Sequence, residues 1–135
     1  MEINITFPGG KKVNADMNGM IIPTDQAKLQ GGDGSAPPPY ALFLVSIGTC
    51  AGIYVLSFCQ ERKIPTENIS LTQRLVYTTT AEGKTELDTI VIDINVPPDF
   101  PEKYEKALIR VADQCAVKKT ILNPPKFAIK TVAHP

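Results

Sequence analysis

From Tyr40 to Cys59 the chain reads YALFLVSIGTCAGIYVLSFC, twenty residues without a charge. Wound as a helix, this stretch places apolar side chains on every side, and such a helix must be buried in lipid or in protein. The flanking pattern is different. Ile3, Ile5 and Phe7 alternate with polar residues, and Val13, Ala15 and Met17 do the same, which is the strand period. Pro8-Gly9-Gly10 turns the chain between them. Asn18-Gly19 is a strong hairpin signal, and Met20 to Ile22 begins a third strand that Pro23 limits. Residues 1–25 therefore read as an antiparallel meander.

Residues 26–39 read as a loop. Gly31-Gly32-Asp33-Gly34-Ser35 lacks the Gly-Lys-Ser/Thr ending of a phosphate-binding loop and reads as a flexible connector. Pro37, Pro38 and Pro39 are placed to start a helix, expected over 40–62, and Pro65 stops it. A hairpin is expected over 69–96. Ile69, Leu71, Leu75 and Tyr77 share one face of its first strand, and Ile90, Ile92, Ile94 and Val96 one face of its second. In a second helical region, 101–122, Tyr104, Ala107, Leu108, Val111 and Cys115 form an apolar stripe that points Cys115 inward. Phe127, Ile129 and Thr131 alternate in a last strand, 127–132, and His134-Pro135 is a tail. Three strands, helix, two strands, helix and strand make a single α+β domain.

The apolar run is long enough to span a bilayer. Ser46, Thr49 and Ser57 interrupt it, however, and ordinary amphipathic strands flank it, so it is expected inside protein rather than in a membrane. A chain of 135 residues has little other mass with which to surround such a helix. The pattern therefore predicts a homodimer in which a second copy covers the remaining face. Charge is balanced, 14 basic against 14 acidic residues with no run of one sign, which argues against nucleic acid or an anionic membrane surface as partner. The N-terminus lacks the signal-peptide pattern, and three cysteines do not make a secreted disulfide framework, so a reducing cytoplasm is the expected setting. With one histidine, His134, and no Cys-x-x-Cys pair, the chain offers neither zinc ligands nor a hydrolase base, and no metal or cofactor is expected. Asp88 and Asp93 read as solvated strand residues.

Cysteine is the remaining reactive type. At about 100° per residue, Ser46, Ile47, Ile53, Tyr54 and Ser57 fall on the same side of the helix as Cys50. Gly48 and Gly52 fall on the far side, where another backbone could approach. A thiol, two hydroxyls and a phenol on one face suit a small polar site in an apolar pocket. Cys50 also fits the alternative of a small buried core residue, and Cys59, on the opposite side, reads as core. An inward-facing Cys115 that approaches Cys50 would supply a resolving thiol beside an attacking one, the minimum equipment for reducing a peroxide. Reactivity requires a lowered thiol pKa, hence a nearby cation. None of Arg62, Arg74 and Arg110 is placed beside Cys50 by the sequence.

The stretch Pro39-Tyr40-Ala41-Leu42-Phe43-Leu44 through Ile47-Gly48-Thr49-Cys50, with Ala112-Asp113-Gln114-Cys115-Ala116-Val117-Lys118-Lys119-Thr120, resembles the two cysteine motifs of the OsmC/Ohr family (osmotically induced protein C and organic hydroperoxide resistance protein). The resemblance implies an intertwined α+β homodimer with an antiparallel sheet around long buried central helices. It also implies that Cys50 is the peroxidatic cysteine and Cys115 the resolving one. Organic hydroperoxides would be the substrates, reduced by an external thiol without a cofactor. The chain departs from the pattern in three places. Tyr40 stands where the family's peroxidases carry a glutamate, Ala116 follows the second cysteine instead of proline, and the N-terminal hairpin region offers only Lys11, Lys12 and Lys28 for an activating arginine. The expected function is thus an OsmC-like thiol-dependent peroxidase, with Tyr40, Ser46, Ile47, Tyr54 and Ser57 as pocket-lining candidates. The alternative is a non-catalytic dimeric small-molecule-binding protein of the same fold.

Overall fold

Five strands and three α-helices follow one another among the described residues, 1–134, of the computed structural model. They are β1 (Asn4–Gly9), β2 (Lys12–Met17), β3 (Met20–Thr24), α1 (Pro39–Glu61), β4 (Ser70–Thr79), β5 (Thr85–Asn95), α2 (Glu102–Ala112) and α3 (Ala116–Leu122). Both sheets are antiparallel, and the protein is α+β. The chain divides into two compact units, residues 1–46 and the residues from Ile47 onward.

In the first unit the strand order is β1-β2-β3. Asn18 and Gly19 both adopt positive φ, 52° and 87°, as a two-residue hairpin with strand-matched twist requires. The Gly19 amide donates to Asp16 Oδ1 at 2.7 Å. Pro23 does not limit β3 but lies within it, opposite Asn14. An edge strand tolerates a proline because its outer N–H has no ladder partner to lose.

The connector is not a bare flexible loop. Asp25, 1% exposed, accepts from the amides of Gln26, Asp33 and Ser35 at 2.8, 3.2 and 3.0 Å, and from Ser35 Oγ at 2.6 Å. These donors hold its carboxyl at a pKa of about 2, the Ser35 hydroxyl contributing most. Gly32 is required by the close approach of backbone, since a Cβ there would lie 2.0 Å from the Gln26 carbonyl oxygen.

The second unit begins inside α1. Lys63, in the left-handed conformation at φ 56°, ends that helix before Pro65 is reached. Ile64 N–H bonds the Cys59 carbonyl at 2.8 Å and Lys63 N–H that of Gln60 at 3.2 Å, the paired bonds of a Schellman terminus. Val55, Phe58 and Cys59 of α1 pack with Leu108 of α2 as the buried centre, flanked by Ile69, Leu71 and Ile94 of the hairpin region. Burying each large apolar side chain stabilises the fold by about 1.5–3 kcal/mol. Only 28% of the most apolar stretch of α1 is buried, although by length and composition the helix could cross a membrane. Val45 and Ile53 are more than half exposed.

Three expectations for this unit change. Val76 pairs with Thr89 and Tyr77 with Leu87, so Asp88 is an extra residue in β5. The bulge shifts the facing along β5, and Tyr77, toward the end of β4, is 53% exposed instead of covered like Leu75. The second helical region breaks after Ala112, and Cys115 caps α3 rather than extending the stripe of α2. Finally, residues 127–132 form no strand. Their alternation suits one, but a strand needs a neighbouring edge for its backbone groups. No edge among the described residues pairs with them, and Phe127 and Ile129 stand 85% and 94% exposed.

Candidate functional site

Cys50 sits on α1, half-buried, one residue before Ala51 and three after Ile47. Both of those neighbours are buried. The second thiol reaches it from the turn between α2 and α3. There the chain leaves α2 at Asp113, and Cys115 takes an extended conformation (φ −47°, ψ 124°) to become the N-cap of α3. Its sulfur accepts from the Lys118 amide at 3.5 Å and lies 3.8 Å from the Ile47 carbonyl oxygen, to which the S–H can donate. Cys115 is 2% exposed.

This turn also aims the first amides of α3 at Cys50. The Val117 N–H is the strongest influence lowering the Cys50 pKa below the ordinary thiol value, ahead of the Cys115 side chain and the Ala116 N–H. Partial burial opposes them. The amides at a helix start have no partner within the helix and carry partial positive charge, which suits a thiolate. Cys115 moves the opposite way. Burial pushes its pKa up, and a hydrogen bond to Cys50 and the charge there push it further. One thiol is thus favoured as thiolate and its neighbour as proton donor.

Among the described residues no arginine figures among the influences on the Cys50 thiol. Arg74 pairs with Asp93 at 2.8 Å, and Arg62 lies 3.7 Å above the Phe58 ring with Glu61 at 3.7 Å. Lys12, in the N-terminal hairpin region, is held by Asp33 at 2.7 Å. Main-chain N–H groups do for Cys50 what the sequence led one to seek in a cation. The sequence pattern held no signal for this, because the apolar stripe runs on through Cys115 at helical spacing.

The other expected site residues do not gather into one pocket. Ile47 lines a cavity of about 850 Å³ together with Ala51, Ile90, Ile94, Leu108 and Cys115. Cys50 is not among the lining residues. Asp88 and Asp93, expected to be merely solvated, lie on its rim. Tyr54 and Ser57 line a separate cleft of about 410 Å³. Ser46 Oγ donates to the Phe43 carbonyl at 2.6 Å, and the Tyr40 ring lies 5.8 Å from that of Phe43. Neither Tyr40 nor Ser46 lines either cavity. Of the faces expected to admit another backbone, Gly48 meets the Gln73 side chain, where a Cβ would lie 2.4 Å from Oε1, and Gly52 faces open space. Cys59 is fully buried in the core, and burial raises its pKa.

The model of the OsmC-like protein family matches residues 32–130, a span that holds both cysteine motifs. The chain belongs to this family. Solved structures with OsmC-type folds superpose on it. One, from Psychrobacter arcticus, has a TM-score of 0.69 and 20% identity over 87% of this chain and 85% of that one. An organic hydroperoxide resistance protein, OsmC, from Legionella pneumophila gives 0.58 and 18% over 90% and 89%. An OsmC-like protein of unknown function from Vibrio cholerae gives 0.65 and 12% over 88% and 91%. At these identities the likeness establishes the OsmC-like fold. No curated sequence matches the chain.

Proposed function

We propose that this OsmC-like protein is a thiol-dependent reductase of organic hydroperoxides, with Cys50 as nucleophile and Cys115 as resolving thiol. The observation that carries the reading is the placement of the buried Cys115 at the start of α3, its sulfur 3.8 Å from the Ile47 carbonyl oxygen one helical turn before Cys50. The opposite directions of the two thiol pKa values, Cys50 down and Cys115 up, accord with it. Attack of the Cys50 thiolate on the distal oxygen of ROOH breaks the O–O bond. Cys50 is oxidised to sulfenic acid, and the alkoxide takes a proton and leaves as ROH. The Cys115 sulfur then attacks the sulfenic sulfur and the disulfide forms. The Cys115 proton and the sulfenic hydroxyl leave as water. Two equivalents of an external thiol restore both cysteines and are themselves oxidised to a disulfide. The hydroperoxide-resistance description of the Legionella relative supports the substrate class.

The working unit in this reading is a cytoplasmic homodimer. The poorly covered α1, with Val45 and Ile53 exposed, and the apolar, unpaired residues around Phe127 and Ile129 support a second copy. Turnover tests the chemistry. With dithiothreitol as reductant the protein consumes cumene hydroperoxide, and Cys50→Ser loses the activity while Cys59→Ser keeps it. Equal consumption by Cys50→Ser and the unaltered protein would end the proposal.

One observation favours a second reading. The 850 Å³ cavity meets Cys115 but not Cys50, which suits a protein that holds an apolar small molecule without turning it over. Saturable binding of cumyl alcohol with no consumption of the hydroperoxide would select it.

A further inference from the structure

The cleft that takes up Tyr54 and Ser57 has no part in the cysteine chemistry, since neither Cys50 nor Cys115 lines it. Tyr54, Ser57 and Phe58 stand on one face of α1 at steps of three and four, and Arg110 and Val111 face them from α2. Two arginines, Arg62 and Arg110, line the cleft. Arg62 is oriented: it lies 3.7 Å above the Phe58 ring and donates to the Phe58 carbonyl at 3.4 Å. Its acidic neighbour Glu61 is 3.7 Å away with a side chain 76% exposed, a contact that water largely screens. Arg110 makes no ion pair among the described residues.

Glu61 also lines the cleft, but two guanidinium side chains, a phenol and a hydroxyl outnumber this one carboxylate and leave a net positive charge, while Phe58, Ala107 and Val111 supply an apolar wall. We propose that this cleft binds a small organic carboxylate, its oxygens on Arg62 and Arg110 and its hydrocarbon part on the apolar wall. Paired N–H donors in a fork match a carboxylate in two-point contact, which an ammonium group does not. At about 410 Å³ the cleft suits a ligand of one ring or a short chain. The site is separate from the proposed redox centre, and its failure would leave that reading intact.

Benzoate is the probe. Added to the intact protein at constant ionic strength, it shifts amide resonances of residues 54–62 and 107–111 along saturable curves. Benzyl alcohol and sulfate, which lack the charge and the ring respectively, bind at least about tenfold more weakly than benzoate. Arg110→Gln weakens benzoate about tenfold, and Arg110→Lys, which keeps the charge but not the fork, weakens it less. Arg110 is exposed, so both variants retain the native spectrum elsewhere. The proposal is overturned by any of three results: benzoate shifts confined to other regions, benzyl alcohol or sulfate binding as well as benzoate, or unchanged affinity in Arg110→Gln.

Discussion

Cys115 neighbours Cys50 and at the same time caps α3, the helix whose first amides lower the Cys50 pKa. One turn of backbone therefore carries both the proposed resolving thiol and the amides that favour the thiolate of Cys50. Removing its side chain should be felt at Cys50. Cys115→Ala deletes the S–H donor, so the Cys50 pKa rises toward the ordinary thiol value and alkylation by iodoacetamide near neutral pH slows. After peroxide treatment the variant accumulates Cys50 sulfenic acid, which dimedone traps. The check is the alkylation rate as a function of pH, followed residue by residue by mass spectrometry.

Ala116→Pro tests the amides directly. Proline has no N–H, so this change removes one donor to Cys50 and leaves Val117 in place. The fold accepts it. Ala116 is the first residue of α3, where proline is favoured, and Cys115 already has the extended ψ of 124° that a following proline demands. The Ala116 amide is the smallest of the influences on Cys50, and a typical hydrogen bond contributes about 0.5–1.5 kcal/mol, so alkylation below the thiol pKa falls by roughly two- to tenfold. The melting temperature stays within a few degrees. An unaltered pH profile in a folded Ala116→Pro protein would remove the Ala116 amide from the account and leave Val117 alone in that role.

Asp25 ties acid stability to the connector. Its folded pKa of about 2 lies below the ordinary value of 3.8. The carboxylate thus favours the folded state above pH 3.8, and this contribution fades as pH falls from 3.8 through about 2. Asp25→Asn loses stability at neutral pH and shows a flatter melting temperature over that acid window. Circular dichroism melts across the window decide the point.

The exposed side of α1 should lie against a second copy. Ile53, 52% exposed, is the residue to change. In the proposed homodimer Ile53→Glu buries an unpaired charge at the contact, a penalty of several kcal/mol. Sedimentation then reports monomer at concentrations where the unaltered protein is dimeric. Identical sedimentation of the two would place the contact elsewhere.

The long helix and the hairpin were legible because each depends on periodicity or on short-range residue chemistry, and the two cysteine motifs together pointed to the family. Asn18-Gly19 marked its turn unaided. Three features depend on information that periodicity does not carry. The Asp88 bulge follows from register against β4, and the site of the α2 break from backbone conformation near Asp113. The order imposed by Asp25 comes from one carboxylate bonding backbone eight and ten residues away, which no short window shows. The last strand was misread for the converse reason: alternation at Phe127 and Ile129 states a preference, while pairing requires an edge. The pocket was misread because sharing a helix face does not make residues share a cavity, and Ile47 and Tyr54 line different ones.

The most direct measurement is the disulfide itself. Reduced protein is mixed with one equivalent of cumene hydroperoxide, quenched with an alkylating agent and mapped by peptide mass spectrometry. The account predicts rapid loss of two hydrogens, one Cys50–Cys115 disulfide per chain, and Cys59 still a free thiol in the core. Three unmodified cysteines, or oxidation confined to Cys59, would contradict it.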